Sequence, residues 1–387
     1  MFGLAEWDFA EAWTLELQVG YTDEEQEFLN TIASVDTSMM PFTATINTFS
    51  GEDSWDYVDG GLSLTYSVSD DWNVYGSIAT STKPGTLETI TGDVITDLGP
   101  PVVILPDQTH INTVDVEELI AYEIGAKGTV WDGRLVLDAA VFYNDWTDIV
   151  LRENISQDPT TGLDYVQPHA RKVNAGDATI VGVEFSANAR FNERWSGRLA
   201  LGWQDAEWDQ GTLTSLFDYP SFGGTQCFDA NDDPIVPPPP ECANNLAGQA
   251  MQRQPAVQGS VSLTYQRPVF GGDWEWFTRG DLNYEDSWYP QDDNMANIPE
   301  HTFANLSLGF KSDRWTITAW VNNLFEEDAP TSTFRDVALN NTDDFSQSRP
   351  LVGRGPNQII ALRYTVVHPR LTTYGLTVQA RFGASSH

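Results

Sequence analysis

Read in steps of two, HTFANLSLGFKSDRWTITAWVNNLF (residues 301–325) separates into two chemically distinct faces. Thr302, Ala304, Leu306, Leu308 and Phe310 fall on one side; Phe303, Asn305, Ser307, Gly309 and Lys311 fall on the other. Ser312, Asp313 and Arg314 break the run, after which Trp315, Ile317, Ala319 and Val321 alternate with Thr316, Thr318, Trp320 and Asn322. Successive side chains of a strand point to opposite faces, so the pattern predicts an antiparallel hairpin, apolar outside and polar inside. The two arms, 301–311 and 314–325, exceed the usual strand of ~5–6 residues and match the ~9–11 that a tilted strand needs to cross a bilayer.

The same alternation recurs along the chain. It marks residues 1–9, Trp13–Tyr21, Leu62–Val68, Trp72–Ile78, Val116–Lys127, Leu135–Tyr143, Val181–Ala189, Leu199–Trp203, Val257–Tyr265, Trp274–Tyr284 and the closing segment 371–382. With the hairpin arms these make about 13 strands. Short turns at 70–71, 131–133, 192–194, 271–272 and 312–314 alternate with long segments at about 22–56, 81–115, 153–171, 209–250, 286–299 and 326–370. Outer-membrane barrels pair short periplasmic turns with long extracellular loops in this way. Parity places all of 326–370 on the long-loop side, so the apolar run Ile359–Val367 is expected to lie within that loop and not to cross. Charge in mid-strand (Glu123, Lys127, Glu184, Arg190, Glu275, Arg279, Asp281) fits a wet interior. A soluble sandwich or propeller is the weaker reading, since no fixed repeat or blade motif is present. Trp131, Trp146, Trp195, Trp203, Trp208, Trp274, Trp276 and Trp315 cluster near run ends, where a barrel carries its aromatic girdles.

Composition agrees with this class. Hydrophobic residues make up 41% of the 387, and no window approaches ~18 consecutive apolar residues, so no spanning helix is written here. Acidic residues outnumber basic ones 56 to 20, a net charge of −36, which argues against nucleic acid as a partner. Catalysis has no signature: no GxSxG, no HExxH, and five scattered histidines (His110, His169, His301, His368, His387). Neither a metal centre nor a cofactor is expected; the adjacent Asp292 and Asp293 are the one pair of acids that invites a cation. Cys227 and Cys242 flank a proline-rich segment, and a disulfide between them would stabilise that loop by ~3 kcal/mol and imply an oxidising compartment.

VEELIAYEIGAKGTVWDGRLVLDAAVFYNDWTDIVL, NAGDATIVGVEFSANARF, RWTITAWVNNLFEED and the closing TYGLTVQARF together resemble the C-terminal part of the β-barrel of TonB-dependent outer-membrane receptors. The resemblance implies an all-β fold, an antiparallel transmembrane β-barrel in which this chain supplies about 13 of 22 strands, incomplete and lacking the plug. It implies uptake of a scarce nutrient, first of all a ferric siderophore, across the outer membrane of a Gram-negative bacterium. Its partners would be outer-membrane lipid, a small-molecule ligand such as a metal chelate, and TonB, the last only through a missing N-terminal region. The opening FGLAEWDF lacks the pattern of a secretory signal, which leads to the expectation of a truncated receptor. By the same resemblance, ligand contacts fall to loop aromatics and arginines: Arg335, Arg349, Arg354, Trp288, Tyr289, Tyr219 and Phe222, with Trp55, Tyr57, Phe217, Phe334 and Phe345 as further candidates. Phe382 would be the terminal aromatic read by the barrel-assembly machinery, with GASSH following it. The alternative reading is a passive porin-like or structural outer-membrane barrel.

Overall fold

The computed structural model describes residues 1–36, 43–97, 103–211, 246–292, 294, 296–339 and 360–382. Its elements are seventeen strands. β1 (Phe2–Ala10), β2 (Trp13–Asp36), β3 (Thr43–Ser69) and β4 (Trp72–Lys83) are followed by the hairpin β5 (Thr86–Asp97) and β6 (Val103–Val114). Then come β7 (Glu117–Val130), β8 (Leu135–Gln157), β9 (Asp164–Arg190), β10 (Trp195–Gly211), β11 (Val257–Val269) and β12 (Trp274–Glu285). The chain closes with β13 (His301–Lys311), β14 (Trp315–Asn322), β15 (Ser332–Leu339), β16 (Ile360–Val367) and β17 (Thr373–Ala380).

Thirteen of these form one continuous wall in the order β1-β2-β3-β4-β7-β8-β9-β10-β11-β12-β13-β14-β17, each antiparallel to its neighbour. Among the described residues β15 and β16 pair only with each other, and β14 pairs directly with β17, so Ser332–Leu339 and Ile360–Val367 stand outside the wall.

The short turns are built locally. Trp131, Asp132 and Gly133 all take positive φ, and the Arg134 amide donates to the Trp131 carbonyl. The left-handed region is open to Gly and tolerated by Asp, which is why Asp-Gly sits there. At 192–195, Asn192 Oδ1 accepts from the amides of Arg194 and Trp195 at 2.8 and 3.0 Å.

Side-chain faces follow the expected parity. One cross-strand row reads Leu15, Leu64, Gly76, Ile124, Val141, Val183, Trp203. Leu64, Ile124 (by 68%), Val141, Val183 and Trp203 of this row are solvent-exposed, as are Leu306 and Leu376 farther along the wall, so this face is not packed into a dry core between two sheets. In a bilayer it meets lipid. Aromatic pairs Trp13–Tyr66, Trp195–Tyr265, Tyr265–Trp276 and Phe270–Phe310 line the short-turn end, with ring centroids 4.6, 4.8, 5.5 and 5.8 Å apart. The girdle expectation fails for two tryptophans. Trp208 is buried and, with Trp146 beside it, belongs to an apolar cluster with Ile149, Leu151, Ala178, Ala206, Leu246 and Met251.

The stretches 22–56, 81–115 and 153–171 read as aperiodic in sequence, yet their described residues are largely paired strand. β2 and β3 stay in register from Trp13↔Tyr66 to Asp36↔Thr43, and β8 and β9 pair from Leu135↔Ala189 to Gln157↔Asp164 with register shifts after Trp146, Ile149 and Ile155. Amphipathic alternation arises where one face meets lipid; these hairpins instead bury scattered apolar residues, such as Ile90, Val94 and Tyr165, in small clusters, which imposes no period of two. β14 is also shorter than expected, ending at Asn322 because Asn323 turns away with φ +53°.

Candidate functional site

The polar face of the wall carries the groups able to meet a solute. Two neighbouring rows run Tyr75, Gly125, Ala140, Glu184, Gly202, Gln258, Glu285, His301 and Asn73, Lys127, Asp138, Ser186, Ala200, Ser260, Asn283, Phe303. All of these but Gly125 and Asn73 line a cavity of about 830 Å³. Tyr75 Oη donates to Glu123 Oε1 at 2.5 Å, Lys127 Nζ lies 5.3 Å from the centre of the Tyr75 ring, and Lys127 pairs with Asp138 at 3.2 Å. The Tyr75 ring occupies the space a side chain at Gly125 would need: a Cβ there would come within 2.4 Å of it. Glu123, Asp138, Glu184 and Glu285 give this cavity an acidic lining, with Lys127 and His301 as the basic members. Buried His301 sits 3.8 Å from Glu285 Oε1.

The long-hairpin end is held by buried polar contacts. Trp208 Nε1 donates to Asp292 Oδ1 at 3.2 Å, and the Gln252 amide reaches the same oxygen at 3.3 Å. Asp292 is buried and accepts both of these bonds. Glu117, also buried, accepts Lys83 Nζ at 2.5 Å and the Val150 amide at 3.2 Å.

Of the residues singled out for ligand contact, Trp288 and Tyr289 lie between β12 and β13. Trp288 Nε1 donates to Glu285 Oε1 at 2.8 Å, which ties it to the acidic cavity, while the Tyr289 carbonyl accepts the Arg253 amide at 2.8 Å. Arg335 stands in β15 opposite Tyr364. Arg349, Arg354, Tyr219, Phe222, Phe217, Phe345, Cys227, Cys242 and Asp293 lie outside the described residues. Trp55 is buried over Gly85. Phe382 follows β17 and is 91% exposed. Asn323, at the end of the alternating run, joins β14 to β13 and to the approach to β17; sequence reading passed over its partner Glu327.

The family profile described as "TonB dependent receptor-like, beta-barrel" matches residues 1–324. The chain belongs to this family. Among curated relatives, the pesticin receptor of Yersinia enterocolitica is 30% identical over 279 residues, covering 71% of this chain and 32% of the relative. The siderophore receptor PiuA of Acinetobacter baumannii is 25% identical over 197 residues, covering 50% and 22%. Among solved structures, the ferric yersiniabactin uptake receptor FyuA from Yersinia pestis superposes with a TM-score of 0.63 at 17% identity, over 99% of this chain and 45% of FyuA. The copper transporter OprC gives 0.57 at 14% identity, over 98% and 48%. At these identities the superpositions speak for the fold. The chain spans about a third or less of the curated relatives it matches, and under half of these structures. The receptor barrel is an outer-membrane fold of Gram-negative bacteria, and the family is one of receptors and transporters.

Proposed function

We propose that the chain is barrel wall of a TonB-energised receptor that imports a scarce nutrient, most simply a ferric siderophore. The observation that carries this reading is the thirteen-stranded wall, apolar on one face and lined by carboxylates and amides on the other, in a family whose relatives include PiuA and FyuA. In this reading the segments about 22–56, 81–115, 153–171, 209–250, 286–299 and 326–370 stand on the extracellular side. Arg335, Arg349 and Arg354, with Tyr219, Phe222, Trp288 and Tyr289, present the first contacts to an anionic chelate, because guanidinium forks match carboxylate oxygens bidentately. A Cys227–Cys242 disulfide would restrain one of these loops, and Phe382 would serve as the assembly signal. TonB would act through the plug-bearing N-terminal region of a complete receptor.

Radio-iron uptake tests the reading. Iron-starved, receptor-deficient cells would express the chain joined to a plug-bearing N-terminal half and be offered hydroxamate, catecholate and phenolate chelates. Accumulation of one chelate that disappears without TonB is expected. Equal flux of all three with or without TonB would replace it by the porin reading.

A further inference from the structure

The lipid-facing side of the wall carries a charge where apolar residues are the rule. The cross-strand row Arg267, Trp276, Phe310, Ile317, Val378 is apolar from its second member onward, and Arg267 heads it, just before β11 ends at Val269. Register fixes the face. The next row away from the short turns runs Trp195, Tyr265, Thr278, Leu308, Ala319, Leu376, and its last member is one of the exposed leucines of the outer side. Arg267 is itself exposed. Its guanidinium carbon lies 5.7 Å from the centre of the Trp276 ring, and among the described residues no carboxylate is within ion-pair reach of it. Trp276 in turn meets Tyr265 at 5.5 Å and Tyr265 meets Trp195 at 4.8 Å, so the cation closes a fan of three rings.

A charge on the lipid face is costly at mid-membrane and inexpensive at the interface, the depth at which aromatic rings gather. There the methylene stem of an arginine lies along apolar surface while its head reaches the headgroup layer. A guanidinium held at that depth without an acidic partner in the protein presents parallel N–H donors to phosphate oxygens. A zwitterionic headgroup brings its own ammonium to the phosphate; an anionic one leaves its net charge for the arginine to meet. We propose that Arg267, with Trp276 and Tyr265 beside it, docks the headgroup of an anionic phospholipid in the leaflet at the short turns, the acyl chains running along Phe310 and Leu308. The site is on the outside of the wall and is independent of what the receptor imports.

The full chain, refolded in detergent micelles and checked by circular dichroism for native strand content, would be equilibrated with equal amounts of phosphatidylglycerol and phosphatidylcholine of the same acyl chains. Native mass spectrometry then counts the lipids that stay bound. Phosphatidylglycerol is expected to be retained over phosphatidylcholine by about fivefold, the worth of one such charge near an anionic surface. Arg267→Gln should bring that ratio near unity, Arg267→Lys should keep most of it, and Arg314→Gln, the same charge change in another short turn, should leave it alone. Equal retention of the two lipids by the unaltered chain, a preference indifferent to Arg267→Gln, or an equal loss in Arg314→Gln would overturn the proposal.

Discussion

The side-chain amide of Asn323 donates to the backbone carbonyl of Arg370 at 3.1 Å, fastening the end of β14 to the approach to β17 across 47 residues of sequence. The same side chain donates to the Glu327 carbonyl at 2.7 Å and accepts the Glu327 amide at 2.8 Å, while its own amide donates to Asn305 Oδ1 at 3.0 Å. Asn323→Leu removes the side-chain half of this knot, leaves backbone groups unpaired in a buried place, and puts a residue ill suited to φ +53° there. The expected loss is about 2–3 kcal/mol in urea unfolding of the micelle-bound protein. A change under half of that would show that the wall closes on β17 without this residue.

Glu327 supplies a pH dependence. Its carboxylate accepts the amides of Ala329 and Thr302, at 3.0 and 3.2 Å, and those bonds hold its pKa below the ordinary 4.5. A group with a depressed folded pKa stabilises the native state above its unfolded pKa and ceases to as pH falls through the folded value. Unfolding should therefore become easier from about pH 4.5 downward, and Glu327→Gln should flatten that part of the profile. An identical acid limb in the variant would assign it to other carboxylates.

Gly125 and Tyr75 are coupled by space. Gly125→Val should push the Tyr75 ring off its seat, break the Tyr75–Glu123 bond and cost about 1–3 kcal/mol, the usual range for overpacking. Tyr75→Ala should recover much of that, giving a non-additive double-mutant cycle. Additive effects would separate the two residues.

Leu376 and Gln379 test the two faces of β17. Leu376 shares its face with Ala319, and Gln379 stands opposite Thr316 on the other. Leu376→Lys should cost about 2–4 kcal/mol if its site lies near mid-membrane, whereas Gln379→Lys should be tolerated. The comparison is read from refolding yields into phosphocholine vesicles; the reverse order would invert the wall.

The wall was legible in the sequence because lipid writes a period of two. Alternation alone puts Leu306, Val321 and Leu376 on one face, and the paired strands keep them there. What escaped had no such imprint. The upper parts of β2, β3, β8 and β9 and the β5–β6 hairpin carry no regular apolar alternation; their apolar residues are scattered and buried in small clusters, Ile90, Val94 and Tyr165 in one, Ile149 and Leu151 in another. Trp208 looked like a girdle residue because an indole at a strand end reads alike whether it meets headgroups or Asp292. The role of Asn323 escaped because its partners, Glu327 and Arg370, are brought to it only by the fold.

β2 runs 24 residues. Allowing ~9–11 for the hydrocarbon layer leaves roughly 13, which at ~3.4 Å each is on the order of 45 Å of strand, and about 30 Å of height at a 45° tilt. The palisade raised by the β2–β3 hairpin is therefore as tall as the bilayer core is thick, and a solute entering from that side has a second membrane's worth of distance to descend before it reaches the depth of the first.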